Sequence, residues 1–591
     1  MLGIASQSTD NPFDTVDRIS ATNWLNTLNS ALAKSDEGLI KTLFADDCHW
    51  RDLLAFTWSL TPTAGGANIA SLMLSKQAQV KARDFKLAEG RLGPRRLKRT
   101  GIDVIESVIQ FETELGRCFG VLRLLQDHPE EAFQLLTSMH ELKGHEEKIG
   151  GRRPTGAAYS RNFGGTNWQD QRIASQAYAD REPTVLVVGG GQAGLSVAAS
   201  LVLIGVDTLV IDKYPNIGDS WRKRYHSLAL HNVTDLNHLP YLPFPESWPS
   251  YLPKDMVGNW LEIYAQTMEI NNWTSTELAT ATYNEETASW TAVLKNNVTG
   301  TERTVRPKHI IFANGLVGLP RIPKLPGLED FTGEVMHTSS FTSGAKWKGK
   351  RALVLGTGTS AHDVAQDLHS NGVETTMIQR GSTTVVSIDP SLKLTYALYE
   401  GIALEDGDLL SSVNTLEVTK RNFKQTSARM IELDKKLIND LIACGFKWDN
   451  GENDTGYQMK IRTRYGGYYL NAGCSDLIIS GAIGLCQYEQ IDTFVENGAL
   501  LKDGTIKQAD LIVMATGFVP QEEVVKQLLG EEVAQKIGPV WGLAPDGEMN
   551  NMWRRTSQKG LWFVGGSFTN CRIYSRYVAI QIKALEEGLL H

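Results

Sequence analysis

The chain has 591 residues, of which 42% are hydrophobic and 21% charged, with a formal net charge of −8. That length exceeds one hydrophobic core and sets an expectation of roughly two to four globular domains. The acidic balance argues against a nucleic-acid partner. The absence of any run of about eighteen apolar residues argues against a transmembrane helix.

The start, MLGIASQSTDNPF, lacks the basic and apolar regions of a secretory signal. The six cysteines, Cys48, Cys118, Cys444, Cys474, Cys486 and Cys571, contain no CxxC pair. They suit free thiols in a reducing, cytoplasmic setting. From about Thr15 to Lys148 the pattern is α, then mixed β. Helical periodicity runs through NWLNTLNSALAKSD and EGLIKTLF, and strand patterns follow in VIESVIQF, RCFGVLRLL and FQLLTSMHEL. The basic run RLGPRRLKRTG, Arg91 to Gly101, reads as a solvated loop, since no interleaved aromatics mark it as a nucleic-acid patch. CHWRDLLAFTW offers His49, Arg51 and Asp52 as candidate bases, but a polar strand edge explains the same residues. A structural or dimerising role is therefore expected of this region. The Gly-, Arg- and Asn-rich stretch HEEKIGGRRPTGAAYSRNFGGTNW reads as a linker. After Pro183, strand, Gly-rich turn and helix alternate, the pattern of α/β with parallel sheet.

TVLVVGGGQAGLSVAASLVLIG is a strand entering G-x-G-x-x-G and then a small-residue helix. Gly189 permits the turn, Gly191 lets backbone approach a pyrophosphate, and Gly194 lets helix and strand pack closely. The helix start (Gln192, Ala193) supplies unpaired N–H groups. Asp212, at the end of TLVIDK, can accept from ribose hydroxyls. RALVLGTGTSAHDVAQDL repeats the design with Gly356, Gly358, Thr359, Ser360 and Ala361. Its second strand, TTMIQRGS, ends in Arg380 rather than an acid. A guanidinium there can pair with a 2′-phosphate, which points to NADPH over NADH. Two dinucleotide folds in one chain suggest electron transfer from a nicotinamide to a second nucleotide cofactor, with FAD the natural candidate for the first site. No metal is expected, since the sequence shows no metal-ligand spacing.

From about Pro183 onward the chain resembles class B flavin-containing monooxygenases, and most of all their YUCCA-type branch. The resemblance rests on GGGQAG, DSWRKRYHSLALHNVTDLNHLPYLPFP, ANGLVGLPRIPKLPG, FTGEVMHTSSF, GTGTSAHD, GGYYLNAG and VMATGFVP. ANG carries Asn314 where the family usually has threonine. FTGEVMHTSSF looks like the family's F-x-G-x-x-x-H-x-x-x-[YFW] fingerprint. The order of elements before it resembles the small α+β cone of nuclear-transport-factor-2 and SnoaL-type proteins.

The resemblance implies an FAD domain in two segments, 176–335 and 505–591, with an NADPH domain, 336–504, inserted between them. A cone-like domain, 1–148, and a linker, 149–175, would precede them. It implies transfer of one oxygen atom of O2 through a C4a-(hydro)peroxyflavin to a carbonyl such as a 2-oxo acid, or to a soft N or S nucleophile. Gly189, Gly191, Gln192, Ala193, Gly194, Asp212, Lys213, Ser220, Trp221, Asn232, Thr516, Gly517 and Ser575 would face FAD. Gly356, Gly358, Thr359, Ser360, Ala361 and Arg380 would face NADPH. Asn232 would donate to the flavin, although YUCCA sequences lack that asparagine, and a turn-stabilising role explains it too. His337 is expected to position the nicotinamide domain, without acting as a base. The alternatives are a flavoprotein NADPH oxidase, a disulfide-type reductase and a non-enzymatic NADPH-sensing protein. The partners expected are a small-molecule substrate and O2, with a homodimer through the N-terminal domain as the oligomer considered.

Overall fold

The computed structural model describes residues 14–156, 159, 161–315 and 318–590. The segment 1–13, read above for a signal, lies outside the described residues. So do residues 157, 158 and 160 of the linker and Leu316 and Val317 of the ANG stretch. Among the described residues no helix is long and apolar enough to cross a membrane.

The N-terminal region is a seven-stranded sheet with helices Asp14–Lys34, Glu37–Thr42 and Gly66–Val80. Alternation along Phe44–Leu53 sends successive side chains to opposite faces. Trp50 joins Trp24, Leu28 and Leu135 in the core. Asp52 is fully buried and accepts from Thr137 Oγ1 and from the backbone of Phe56 and Thr57. Burial raises its carboxyl to about 6. Its donors all come from the same sheet and the turn that follows it, so Asp52 holds that turn. His49 and Arg51 emerge on the opposite face and meet the rest of the chain. Arg51 makes a bidentate pair with Glu548 at 2.7 and 2.8 Å and donates to the Ser412 carbonyl and the Tyr574 hydroxyl. On the same face His49 pairs with Thr415, Arg123 and Gln134 with Asn414, and Ser138 with Tyr577.

The basic run from Arg91 is not the solvated loop expected. Arg95–Arg99 is a strand paired to Ile102–Glu112, and its arginines are neutralised inside the chain. Arg95 and Arg99 pair with Glu106, Arg96 with Asp17, and Arg91 with Asp406. Glu106 sits on the neighbouring strand, while Asp17 and Asp406 lie far off in sequence.

Two five-stranded parallel sheets follow. The first is ordered Asn271–Trp273, Thr208–Ile211, Val185–Val188, His309–Phe312, Leu561–Phe563; the second Glu334–His337, Leu511–Met514, Arg351–Leu355, Glu374–Gln379, Gly484–Gln487. VLVV, TLVI, HIIF and LIVM are buried throughout, as strands covered on both faces must be. The first sheet draws its last strand, Leu561–Phe563, from the C-terminal segment. The second takes Leu511–Met514 between Glu334–His337 and Arg351–Leu355. Its strands therefore reach beyond the expected boundaries at 335/336 and 504/505, because Glu334–His337 forms its edge and Leu511–Met514 the strand next to that edge.

Arg51 and Glu548 are 6% and 8% exposed, so removing one strands the other's charge. Arg51→Met is expected to cost about 3–5 kcal/mol, read as a lower urea midpoint at constant m-value. A shift below about 1 kcal/mol would assign the pair no structural weight.

Candidate cofactor-binding site

Each glycine loop begins at the same structural device. Gly189 has φ +115° and Gly356 φ +127°, conformations that side chains rarely adopt. A Cβ on Gly189 would lie 2.5 Å from the carbonyl oxygen of Ala313, and one on Gly356 2.6 Å from that of Ala515. Gly194 is closed by contact with the carbonyl of Gly189. The middle glycines differ. A Cβ on Gly191 would meet only Ser220 Oγ, at 3.9 Å, and one on Gly358 only the Tyr468 carbonyl, at 3.9 Å. Both open to free space at the start of their helices, Gln192–Leu203 and Thr359–Ser370, and neither helix has a side-chain N-cap. Uncapped N–H groups beside a backbone without Cβ form a cradle that fits a pyrophosphate.

Around the first cradle, Asp212 is buried and accepts from Gly190 N–H and Tyr214 N–H at 2.8 and 2.9 Å. Burial raises its carboxyl. The residue expected on a ribose thus also fixes the glycine loop, with two of its roughly four lone-pair sites used. Trp221 Nε1 donates to Gln192 Oε1 at 3.1 Å, and its ring lies 5.8 Å from that of Phe568. Ala193 is buried behind the helix start, while Lys213 is exposed beside the Tyr214 ring. At the second cradle Thr359 Oγ1 donates to the Tyr468 carbonyl, Ser360 is half-buried and Ala361 buried. Arg380, just past Glu374–Gln379, is exposed, with no hydrogen bond or ion pair among the described residues.

Ala313 and Ala515 open ANG and ATG, and these stretches lead into the two crossings between the sheets. The crossings pair with each other: Arg321 N–H donates to the Gly517 carbonyl, Val519 N–H to Leu319, and Thr516 Oγ1 to Arg321. His337 joins them. Its Nε2 lies 3.0 Å from the same Gly517 carbonyl, and its Nδ1 accepts from Ser339 N–H at 3.1 Å. That pattern fixes the neutral Nε2–H tautomer, and burial lowers the ring's pKa. Both nitrogens are hydrogen-bonded, so His337 ties the strand Glu334–His337 to the ATG crossing. Thr516 and Gly517 lie at this crossing, not at the first cradle.

Asn232 lies in the segment after Trp221. Its backbone carbonyl accepts from Asn237 Nδ2 at 3.1 Å, and its Oδ1 accepts from the hydroxyl of Tyr396. The C-terminal helix Phe568–Glu586 packs on Gln192–Leu203. Ser575 is fully buried in it without a hydrogen-bond partner among the described residues, and Tyr577 bonds to Ser138 of the N-terminal sheet. Sequence reasoning missed Tyr396 and the Tyr225–Asp363 hydrogen bond, which ties the segment after Trp221 to the second glycine helix. It missed the Arg572–Asp408 pair as well. None of these pairs has a spacing that a single sequence displays. GTGTSAHD did contain Asp363.

Two parallel sheets, each with an open glycine cradle, make a fold of the two-dinucleotide type. The family model described as flavin-binding monooxygenase-like matches residues 182–529. The chain belongs to that family, whose cofactors are FAD and NADPH. Among its relatives, a probable indole-3-pyruvate monooxygenase of Arabidopsis thaliana, YUCCA10, is 30% identical over 227 residues, 38% of this chain and 59% of that one. The chain thus spans less than two thirds of that relative. The Oryza sativa subsp. japonica indole-3-pyruvate monooxygenase YUCCA1 is 27% identical, covering 59% of this chain and 80% of its own. A flavin-containing monooxygenase structure from Stenotrophomonas maltophilia is 18% identical with a TM-score of 0.47, over 68% of this chain and 98% of that one.

His362, fully buried in the second glycine helix, stacks on Tyr469 at 3.9 Å and donates through Nδ1 to the Gly358 carbonyl. Burial lowers its pKa to about 4, below the ordinary value near 6.5. The folded state therefore resists protonation. The stabilisation is full above pH ~6.5 and is lost as pH falls toward 4, a change on the order of 3 kcal/mol. His362→Gln should flatten that part of the acid-stability curve in urea titrations at pH 7.5 and 4.5. Parallel curves for the two proteins would contradict it.

Proposed function

We propose that this chain is an FAD- and NADPH-dependent monooxygenase that places one atom of O2 on a small organic substrate, with 2-oxo acids as the substrate class. The observation that carries the reading is the pair of open cradles, each wired through its ANG or ATG stretch to crossings that pair with one another. The names of the plant relatives, indole-3-pyruvate monooxygenases, support the choice of a 2-oxo acid over a soft nucleophile. When bound, NADPH supplies a hydride and FAD accepts it and activates O2.

The chain's own residues bind, orient and exclude water. Gly189, Gly191, Gly194 and the helix start at Gln192 and Ala193 hold the FAD pyrophosphate, and Asp212 shares its carboxylate between loop and ribose. Trp221, braced by Gln192 and Phe568, walls the ring side beside Ser220. Gly356, Gly358, Thr359, Ser360 and Ala361 hold the NADPH pyrophosphate, and Arg380 meets the 2′-phosphate. Asn232 faces the flavin as donor, and His337 keeps the crossings in register. In this reading residues 176–335 and 505–591 bind FAD and 336–504 bind NADPH, with Leu511–Met514 lent to the second sheet. A homodimer through the N-terminal domain would use a surface other than the sheet face already covered by Ser412, Asn414 and Glu548. A disulfide-type reductase needs two adjacent cysteines, and among the described residues Cys571 of the C-terminal helix is buried with no second cysteine bonded or paired to it.

The test supplies purified holoprotein with NADPH, 18O2 and an arylpyruvate. The account predicts one labelled oxygen in the organic product per NADPH consumed. Label found only in hydrogen peroxide, with 2-oxo acids, amines and thioethers alike, would instead establish an oxidase. Arg380→Ala is expected to raise KM for NADPH by about tenfold or more, the scale of a lost charge-assisted pair. KM for NADH should hardly move. An unchanged KM for NADPH would remove the 2′-phosphate from Arg380.

A further inference from the structure

We propose that Tyr396 is a positioning residue that orients the Asn232 amide so that its Nδ2–H is the group left to face the flavin. The proposal rests on the reading of Asn232 given above. The Asn232 backbone carbonyl accepts from Asn237 Nδ2, which holds the turn, and the side-chain Oδ1 accepts from the Tyr396 hydroxyl. Nδ2 has no acceptor among the described residues. In the structure the Tyr396 O–H holds the Oδ1 end of the amide, which leaves the Nδ2–H end free. An asparagine amide alone has two such orientations, and only one presents a donor to the ring.

Tyr396 is itself well held. Its ring packs against the cluster of Leu392, Met430, Tyr457 and Leu470. Burial raises its hydroxyl's pKa well above the ordinary tyrosine range, so it stays a donor. The segment continues to Tyr399, whose hydroxyl donates to Asp408 at 3.0 Å, and Asp408 takes a bidentate pair from Arg572 at 2.7 Å on the C-terminal helix. Tyr396 reaches Asn232 from the inserted region, 164 residues away in sequence. The donor is thus set by the inserted region and not by its own turn alone, as a preorganised hydrogen-bond donor requires.

The test compares Tyr396→Phe, Asn232→Ala and the double variant. It reads the Raman bands of the bound oxidised flavin ring, the Kd of the apoprotein for FAD, and hydrogen peroxide released per NADPH. Phenylalanine keeps the packing and removes only the hydroxyl. The expected result is a band shift in Tyr396→Phe of the same sign as in Asn232→Ala, with roughly fivefold more peroxide per NADPH, the scale of one hydrogen bond. The double variant should match Asn232→Ala alone, because Tyr396 acts through it. Wild-type bands and coupling in Tyr396→Phe, beside altered ones in Asn232→Ala, would overturn the role of Tyr396 and leave that of Asn232. Full additivity in the double variant would also overturn it. Wild-type bands in Asn232→Ala would overturn the reading of Asn232 and the proposal with it.

Discussion

The close approach of Gly189 to the Ala313 carbonyl and of Gly356 to the Ala515 carbonyl is the constraint on which the rest of the site depends. It permits only glycine at the first loop position, because a Cβ would meet a carbonyl oxygen and the backbone φ is positive. It also explains why alanine stretches recur after the neighbouring strands. Ala313 N–H donates to Val188 and Ala515 N–H to Leu355, so each alanine completes a ladder before its carbonyl turns to the glycine. From these alanines the chain leaves one sheet and returns from the other. The loops that would hold the two nucleotides are therefore anchored to the segments that join the sheets.

Those joining segments share one acceptor. The Gly517 carbonyl takes Arg321 N–H and His337 Nε2–H together. Tyr225 and Asp363 add a second tie, from the segment after Trp221 to the second glycine helix. Burial raises Asp363 to about 6, and the hydrogen bond from the Tyr225 hydroxyl works against that rise by stabilising the charged carboxylate. The N-terminal sheet supplies a third brace. Arg51 binds Glu548 and Tyr574 of the C-terminal segment and Ser412 of the inserted one. A polar strand edge at CHWRDL is thus turned inward, onto the monooxygenase module.

Much of this was legible in the sequence because it follows from short-range chemistry. The two glycine loops, their buried strands and the basic residue ending TTMIQR each carry a local physical reason. The arginines of RLGPRRLKRT were misjudged because their partners, Asp17, Glu106 and Asp406, are set by folding and not by spacing. The edges of the second sheet were blurred for a related reason: LIVM reads equally well as a strand of either sheet, and only pairing with Glu334–His337 and Arg351–Leu355 decides. Tyr396 was invisible, since a tyrosine in LKLTYALYE signals nothing until its hydroxyl is seen bonded to Asn232.

His337 gives the most direct measure of whether the crossings set the geometry between the two sites. Anaerobic stopped-flow mixing of holoprotein with NADPH, comparing wild type with His337→Leu, separates binding from reduction. The account predicts flavin reduction slowed by about tenfold or more, the penalty of a small misplacement of reacting groups, with little change in the Kd for FAD or NADP+. An unchanged rate of reduction would contradict it.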